Sequence, residues 1–143
     1  MKKPYREESR RWFTQAKDEF QDADDLRKRG RFYLALFHFQ QATEKALKAF
    51  LYLGVKSVEV LFTHSIGDLL EMATELDPGF AEVARAKKLD QYYIATRYPN
   101  GLPGGVPSRY FDDPKEAEEA MNLAKRVIEL VEGKVEEISK GER

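Results

Sequence analysis

The sequence predicts an all-α protein, an antiparallel up-and-down bundle of four long helices plus one short helix. Two observations carry that expectation. Apolar residues recur every three or four positions through most of the 143 residues, which places them on helical stripes. Only "VKSVEVLF", residues 55 to 62, comes near the alternation a strand needs. The length suits one domain, residues 1-143, with enough chain to bury its own core and a tail expected to fray from about residue 136.

The first helix is expected over Tyr5 to Arg29, with Trp12, Phe13, Ala16, Phe20, Ala23 and Leu26 on one face. Gly30 in "RKRGR" is a natural C-terminal stop, and the cations before it suit the negative end of the helix dipole or form an anion-binding patch. The second helix, Phe32 to Leu53, is apolar over more than half its circumference, so it should be central or lie at a subunit interface. Within it Glu44 and Lys48 stand four apart, in the favourable order for a surface ion pair; the other reading has Lys48 facing a cleft.

A short third helix follows Thr63 or Ser65 as cap and buries Ile66, Leu69, Leu70, Ala73 and Leu76. "DPGF" ends it and opens a fourth, running to about Thr96, with Asp77 as cap and Pro78 at its first position. In "DDPKE", Asp113, Pro114 and Glu116 form a further capping signal, after which Ala117, Ala120, Leu123, Ala124, Val127, Val131, Val135 and Ile138 line the last helix. Between these two helices the segment from Arg97 to Phe111 is long for a bundle, and such segments are functional or disordered. It is rich in Pro, Gly and Tyr.

Charged residues make up 34 % of the chain for a net charge of −1, a mixed surface of the kind common in thermostable proteins. The distribution is uneven: residues from Asp112 onward carry ten acidic and six basic groups, leaving the earlier part net positive. There is no cysteine, which excludes disulfides, thiolate zinc sites and cysteine nucleophiles. No apolar run approaches a membrane span, so a soluble, cytoplasmic protein with no membrane contact is expected. Phosphate-cradling glycine loops are missing, and neither His38 nor His64 follows a Glu three residues back, as di-metal bundles require. Neither a metal nor another cofactor is expected.

Three segments, "QQATEKALKAFL" at 40 to 51, "THSIGDLL" at 63 to 70 and "YYIATRYPN" at 92 to 100, resemble the HEPN domain in order and spacing. The likeness extends over roughly residues 6 to 135. It implies a helical homodimer with a cleft at its interface. It also implies either a metal-independent ribonuclease, often the toxin of a toxin–antitoxin pair, or a nucleotide-binding protein, commonly with a nucleotidyltransferase partner. Catalytic members carry an arginine followed, after four to six residues, by a histidine. Arg97 matches the arginine, but Leu102, Pro103 and Gly104 stand where the histidine belongs. Arg97 can therefore stabilise phosphoryl charge, while proton transfer needs another group.

The site residues that follow are Arg97 as phosphate ligand, with Tyr98, Arg109 and Tyr93 around it, and His64 or His38 as a displaced base. Each has a plainer reading. Arg97 caps carbonyls or pairs with a carboxylate, Tyr92 and Tyr93 pack in the core, His64 belongs to a turn, and His38 is a hydrogen-bonded core or interface residue. A third function remains open on these grounds, a non-catalytic interaction module docking a partner through the apolar second helix at Phe39 or Phe50.

Overall fold

The computed structural model describes residues 3–54, 59 and 62–141. Among them there are helices and turns and no strand. Most of "VKSVEVLF" lies outside the described residues. The long helices are α1 (Lys3–Lys28), α2 (Phe32–Gly54) and α6 (Pro114–Gly141); α3 (Ile66–Leu76) is shorter, and α4 (Tyr92–Ala95) and α5 (Pro107–Tyr110) are single turns. Helix α2 is the centre of the bundle, packed against α1, α3, α4, α5 and α6.

The chain reverses between α1 and α2 at Gly30, whose φ of +77° is the left-handed conformation glycine adopts at least cost. The Arg31 N–H donates to Leu26 O and the Gly30 N–H to Arg27 O, a Schellman closure that satisfies the last carbonyls of α1. Two of the four cations of "RKRGR" are spent within α1. Arg27 and Lys28 both meet Asp24, at 2.8 and 3.2 Å. Burial alone would push the Asp24 carboxyl up, but these two hydrogen-bonded cations hold it below its ordinary value.

Ala16 and Ala23 of α1 and Leu36, Phe39, Leu47 and Leu51 of α2 are fully buried. They join Ile66, Leu69, Phe80, Leu89, Val127 and Val131 in one core. Small residues on α1 let the two helices approach closely, and the aromatic rings of Phe20 and Phe39 fill the adjoining space at 5.5 Å. Phe39 and Phe50 are thus spent on the protein's own core, at 0 % and 4 % exposure, and the docking face expected at these two residues is overturned.

The expected fourth long helix takes a different form. Residues Pro78–Gln91 wind as a 3-10 helix with a kink at Val83 (φ −112°, ψ 20°), and only Tyr92–Ala95 are α-helical. The cause is visible in the spacing. Phe80, Val83, Ala86 and Leu89 are the buried residues of this segment, each three after the last. In a helix of three residues per turn, positions i and i+3 eclipse, so a strict period of three falls on one line. An α-helix would carry the same residues progressively around its surface.

Segment 97–111 contains a 3-10 turn at Pro99–Gly101 and the single turn α5, with Pro107 and Phe111 buried. Phe111 packs edge-on against Tyr92, and the Tyr92 hydroxyl donates to Glu116 Oε2 at 2.8 Å. Burial and then that carboxylate push the Tyr92 phenol well above its ordinary value. Tyr92 is therefore a packing residue that ties α4 to α6. Capping follows the sequence signals: Ser65 accepts from the Asp68 N–H, Asp77 from the Gly79 N–H and Asp113 from the Lys115 N–H.

Candidate functional site

The segment after α4 brings Arg97 against the N-terminal part of α2, at Phe37. Its Nε donates to the Tyr93 carbonyl at 2.7 Å, one turn back, which is the capping role. Its guanidinium also lies 4.6 Å from the Tyr93 ring centroid, 4.8 Å from Phe37 and 5.1 Å from Tyr98. Three rings and one backbone bond thus hold the cation in place. Arg97 remains exposed, and among the described residues no carboxylate pairs with it. Its two terminal nitrogens are the part left to bind an anion.

Tyr93 is the shared wall. Its ring stacks on the His64 imidazole at 5.1 Å and 17°, and lies 6.5 Å from Phe37. The structure thus places two of the expected groups, Arg97 and His64, on one tyrosine ring, although they are 33 positions apart in sequence.

His64 reaches that ring because its surroundings are clamped. The Asp90 carboxylate accepts from the Ile66 N–H (2.7 Å), the Gly67 N–H (3.0 Å) and the Ser65 hydroxyl (3.3 Å). A carboxylate at the positive end of α3 is doubly favoured, by hydrogen bonds and by the dipole. The fully buried Gln40 donates through Nε2 to the His64 carbonyl at 3.1 Å. Together these fix the backbone on either side of the imidazole.

Beneath His64 lies a pair expected at the surface. Glu44 and Lys48 do bond, at 3.1 Å, but their residues are only 3 % and 1 % exposed, so the surface reading is corrected. They sit where α1, with Trp12, closes over α2, and Lys48 Nζ stands 5.6 Å from the Trp12 ring. Glu44 Oε2 is also 3.4 Å from His64 Nδ1, while Glu44 Oε1 is buried without a hydrogen-bond partner. Charged side chains are buried this way only when compensated, and an unmatched oxygen is costly.

The remaining expected residues are placed differently. Tyr98 flanks Arg97 and is half-exposed. Arg109 lies on α5, exposed, and nothing among the described residues joins it to Arg97. His38 faces α1, where Nδ1 is 2.7 Å from Glu19 Oε2, and Lys45 donates to the other Glu19 oxygen at 2.7 Å. Burial would raise the Glu19 carboxyl, yet these two partners hold it below its ordinary value. His38 is therefore a structural hydrogen-bonding residue of the α1–α2 contact.

Phe37, Gln40, Asp90 and the buried state of Glu44 were not singled out by sequence reasoning. Phe37 lies off the main apolar stripe of α2, and an off-stripe aromatic was the one available signal. Two cavities among the described residues lie away from Arg97. One of about 380 Å³ is lined by Arg85, Lys115, Glu118, Glu119 and Arg126, mixed in sign. Another, of about 430 Å³, is lined by Glu59, Asp68, Glu71 and Glu75, whose charge opposes a phosphate. No metal-binding group of His, Asp and Glu occurs among the described residues, and none of their helices is long and apolar enough to cross a membrane.

The HEPN domain family matches residues 9–134. No protein of curated function matches the chain. Among solved structures, TT1696 from Thermus thermophilus is similar at 36 % identity and a TM-score of 0.74, over 88 % of this chain and 97 % of that one. ST0689, an archaeal HEPN homologue, is similar at 30 % identity and a TM-score of 0.71, over 89 % of this chain and 97 % of that one. With the family spanning nearly all of the helical bundle and two solved relatives sharing its fold, the chain belongs to the HEPN domain family.

Proposed function

We propose that this HEPN protein binds the phosphate of a nucleotide or RNA at Arg97, in a cleft between two copies of the chain. On this reading it acts with a nucleotidyltransferase partner in a toxin–antitoxin-like system of the cytoplasm. The observation that carries the proposal is the state of Arg97: exposed, held by three rings and one backbone bond, and unpaired with any carboxylate among the described residues. Lys17, Arg27, Lys45, Lys88 and Lys134, by contrast, each meet a carboxylate. A planar fork with free ends suits phosphate oxygens better than a lysine would. Half-exposed Tyr98 offers a face for a base, Tyr93 backs the guanidinium, and Arg109 of a second copy supplies a further cation. Support for the homodimer comes from Ile94, Tyr98, Val106 and Tyr110, large apolar residues exposed by 46 % to 61 % within one stretch beside Arg97.

Fluorescence anisotropy with a short labelled RNA and with a labelled mononucleotide tests the reading. Arg97→Ala should weaken binding by roughly ten- to a hundredfold, the loss of hydrogen bonds to a charged group, and lower the salt dependence by about one phosphate contact. Equal affinity in the two proteins would remove the proposal. A second reading, a metal-independent ribonuclease with a displaced histidine, is favoured at His64 by its place on the Tyr93 ring. It is disfavoured at His38, which Glu19 occupies.

A further inference from the structure

The N-terminal part of α1, the C-terminal end of α2 and the last turns of α6 meet around a slot of about 160 Å³. Leu53 and Ser9, both buried, form its floor. Phe13, Val135 and Ile138, each half-buried, form its walls. Arg6 and Arg10 stand at the exposed rim, with Ser139 beside them on α6. Leu53 is roughly 24 Å along α2 from Phe37 by helical rise, so the slot and the surroundings of Arg97 are separate places.

Floor and rim differ in chemistry. The Ser9 hydroxyl donates to the Ala49 carbonyl at 2.7 Å, so its proton is spent on α2 and the depth of the slot is mainly hydrocarbon. An apolar cavity of about 150 Å³ holds one benzene ring, which sets the size of body this slot accepts. At the rim, Arg6 and Arg10 are four apart on one face of α1, a spacing at which like charges repel. No carboxylate is among the residues lining the slot. Arg11, the next residue, meets Glu8 at 2.7 Å, whereas Arg10 meets no carboxylate among the described residues. An anion between the two guanidinium groups would turn that repulsion into attraction, and the planar fork of arginine matches a carboxylate.

We propose that this slot binds a compact monocarboxylic acid, an aromatic or branched-chain carboxylate of about six or seven carbons. Its apolar body lies against Phe13, Leu53, Val135 and Ile138, and its carboxylate lies between Arg6 and Arg10. A nucleotide is excluded by size, since base, sugar and phosphate need far more room than one ring. The site is therefore independent of the phosphate reading at Arg97. Its occupant would tie the end of α6 to α1 and α2, so thermal stability should rise with ligand concentration.

The test uses the full chain with three probes: benzoate, benzyl alcohol as its uncharged counterpart, and inorganic phosphate as an anion with no apolar body. ¹H–¹⁵N spectra are followed through each titration, beside melting curves. Benzoate should shift the amides of Ser9, Leu53, Ile138 and Ser139, saturate below about 10 mM and raise Tm. Benzyl alcohol should bind about tenfold more weakly, and phosphate should leave these amides unmoved. Arg10→Gln changes an exposed residue outside the core and should weaken benzoate by about tenfold. Ser139→Phe fills the slot from α6 and should abolish binding. Benzoate shifts that do not saturate, or that are confined to Arg97 and its neighbours, would overturn the proposal. So would equal affinity for benzyl alcohol, phosphate shifting the same amides, or benzoate affinity unaltered by either substitution.

Discussion

Arg97→Lys is the most informative single substitution, because it keeps the charge and removes everything else the structure provides. Lysine has no Nε–H beside a planar fork, so it gives up the bond to Tyr93 O and the guanidinium's contacts with Phe37, Tyr93 and Tyr98. We expect nucleotide affinity to fall by about tenfold, close to the effect of Arg97→Ala, with little change in thermal stability. Calorimetric titration beside a melting curve checks both. The family pattern singles out Arg97 in the sequence and leaves His64 as one of two histidine candidates; that both lie on the Tyr93 ring comes from the fold. The Glu44–Lys48 bond was legible too, from its spacing of four. Its burial was not, since helical spacing fixes which residues meet and says nothing of what covers them. Here Trp12 of α1 helps cover the pair, a contact set by tertiary packing.

At the scale of elements, two attachments decide where the site residues stand. Asp90 clamps the start of α3 with three hydrogen bonds, so Asp90→Ala should cost about 1.5–3 kcal/mol in urea unfolding. It should also broaden the His64 ring resonances, because the backbone beside the imidazole is released. Glu19 joins α1 to α2 through His38 and Lys45, and its folded-state carboxyl lies below its ordinary value of 4.5. A depressed carboxyl contributes stability that is present above the ordinary value and lost as pH falls through the depressed one. The stability gap between wild type and Glu19→Gln should therefore be full near neutrality and close on acidification below about pH 4.5. Helix ends and caps were readable because Gly30, Ser65, Asp77 and Asp113 act locally. The 3-10 winding of Pro78–Gln91 was written in the strict three-residue spacing of Phe80, Val83, Ala86 and Leu89. That spacing also fits an α-helical stripe over a short window, and so large a 3-10 segment is uncommon enough to be passed over.

For the whole molecule, the bundle closes around α2, and four of the six large apolar residues left exposed among the described residues, Ile94, Tyr98, Val106 and Tyr110, lie in the stretch 94–110 that contains Arg97. On the proposed reading that stretch both joins two copies and holds the site. Ile94→Asp puts a charge there without touching the core; Ile94 is 46 % exposed, so folding should be spared while a dimer dissociates. Sedimentation velocity would read this as a shift to half the mass, accompanied by weaker RNA binding. An unchanged mass would place any dimer contact elsewhere. The rings around Arg97 and His64 come from α2, α4 and the segments beside them, and no local pattern in the sequence records such a meeting.

The most direct measurement is a titration of the ¹⁵N-labelled protein with a nucleoside monophosphate, following the Arg97 Nε–H and the resonances of His64, Tyr93 and Tyr98. Binding at the proposed site predicts saturable shifts at Arg97 and these three neighbours, abolished by Arg97→Ala. Shifts confined to the cavity of Arg85, Lys115 and Arg126, or no shifts at all, would contradict it.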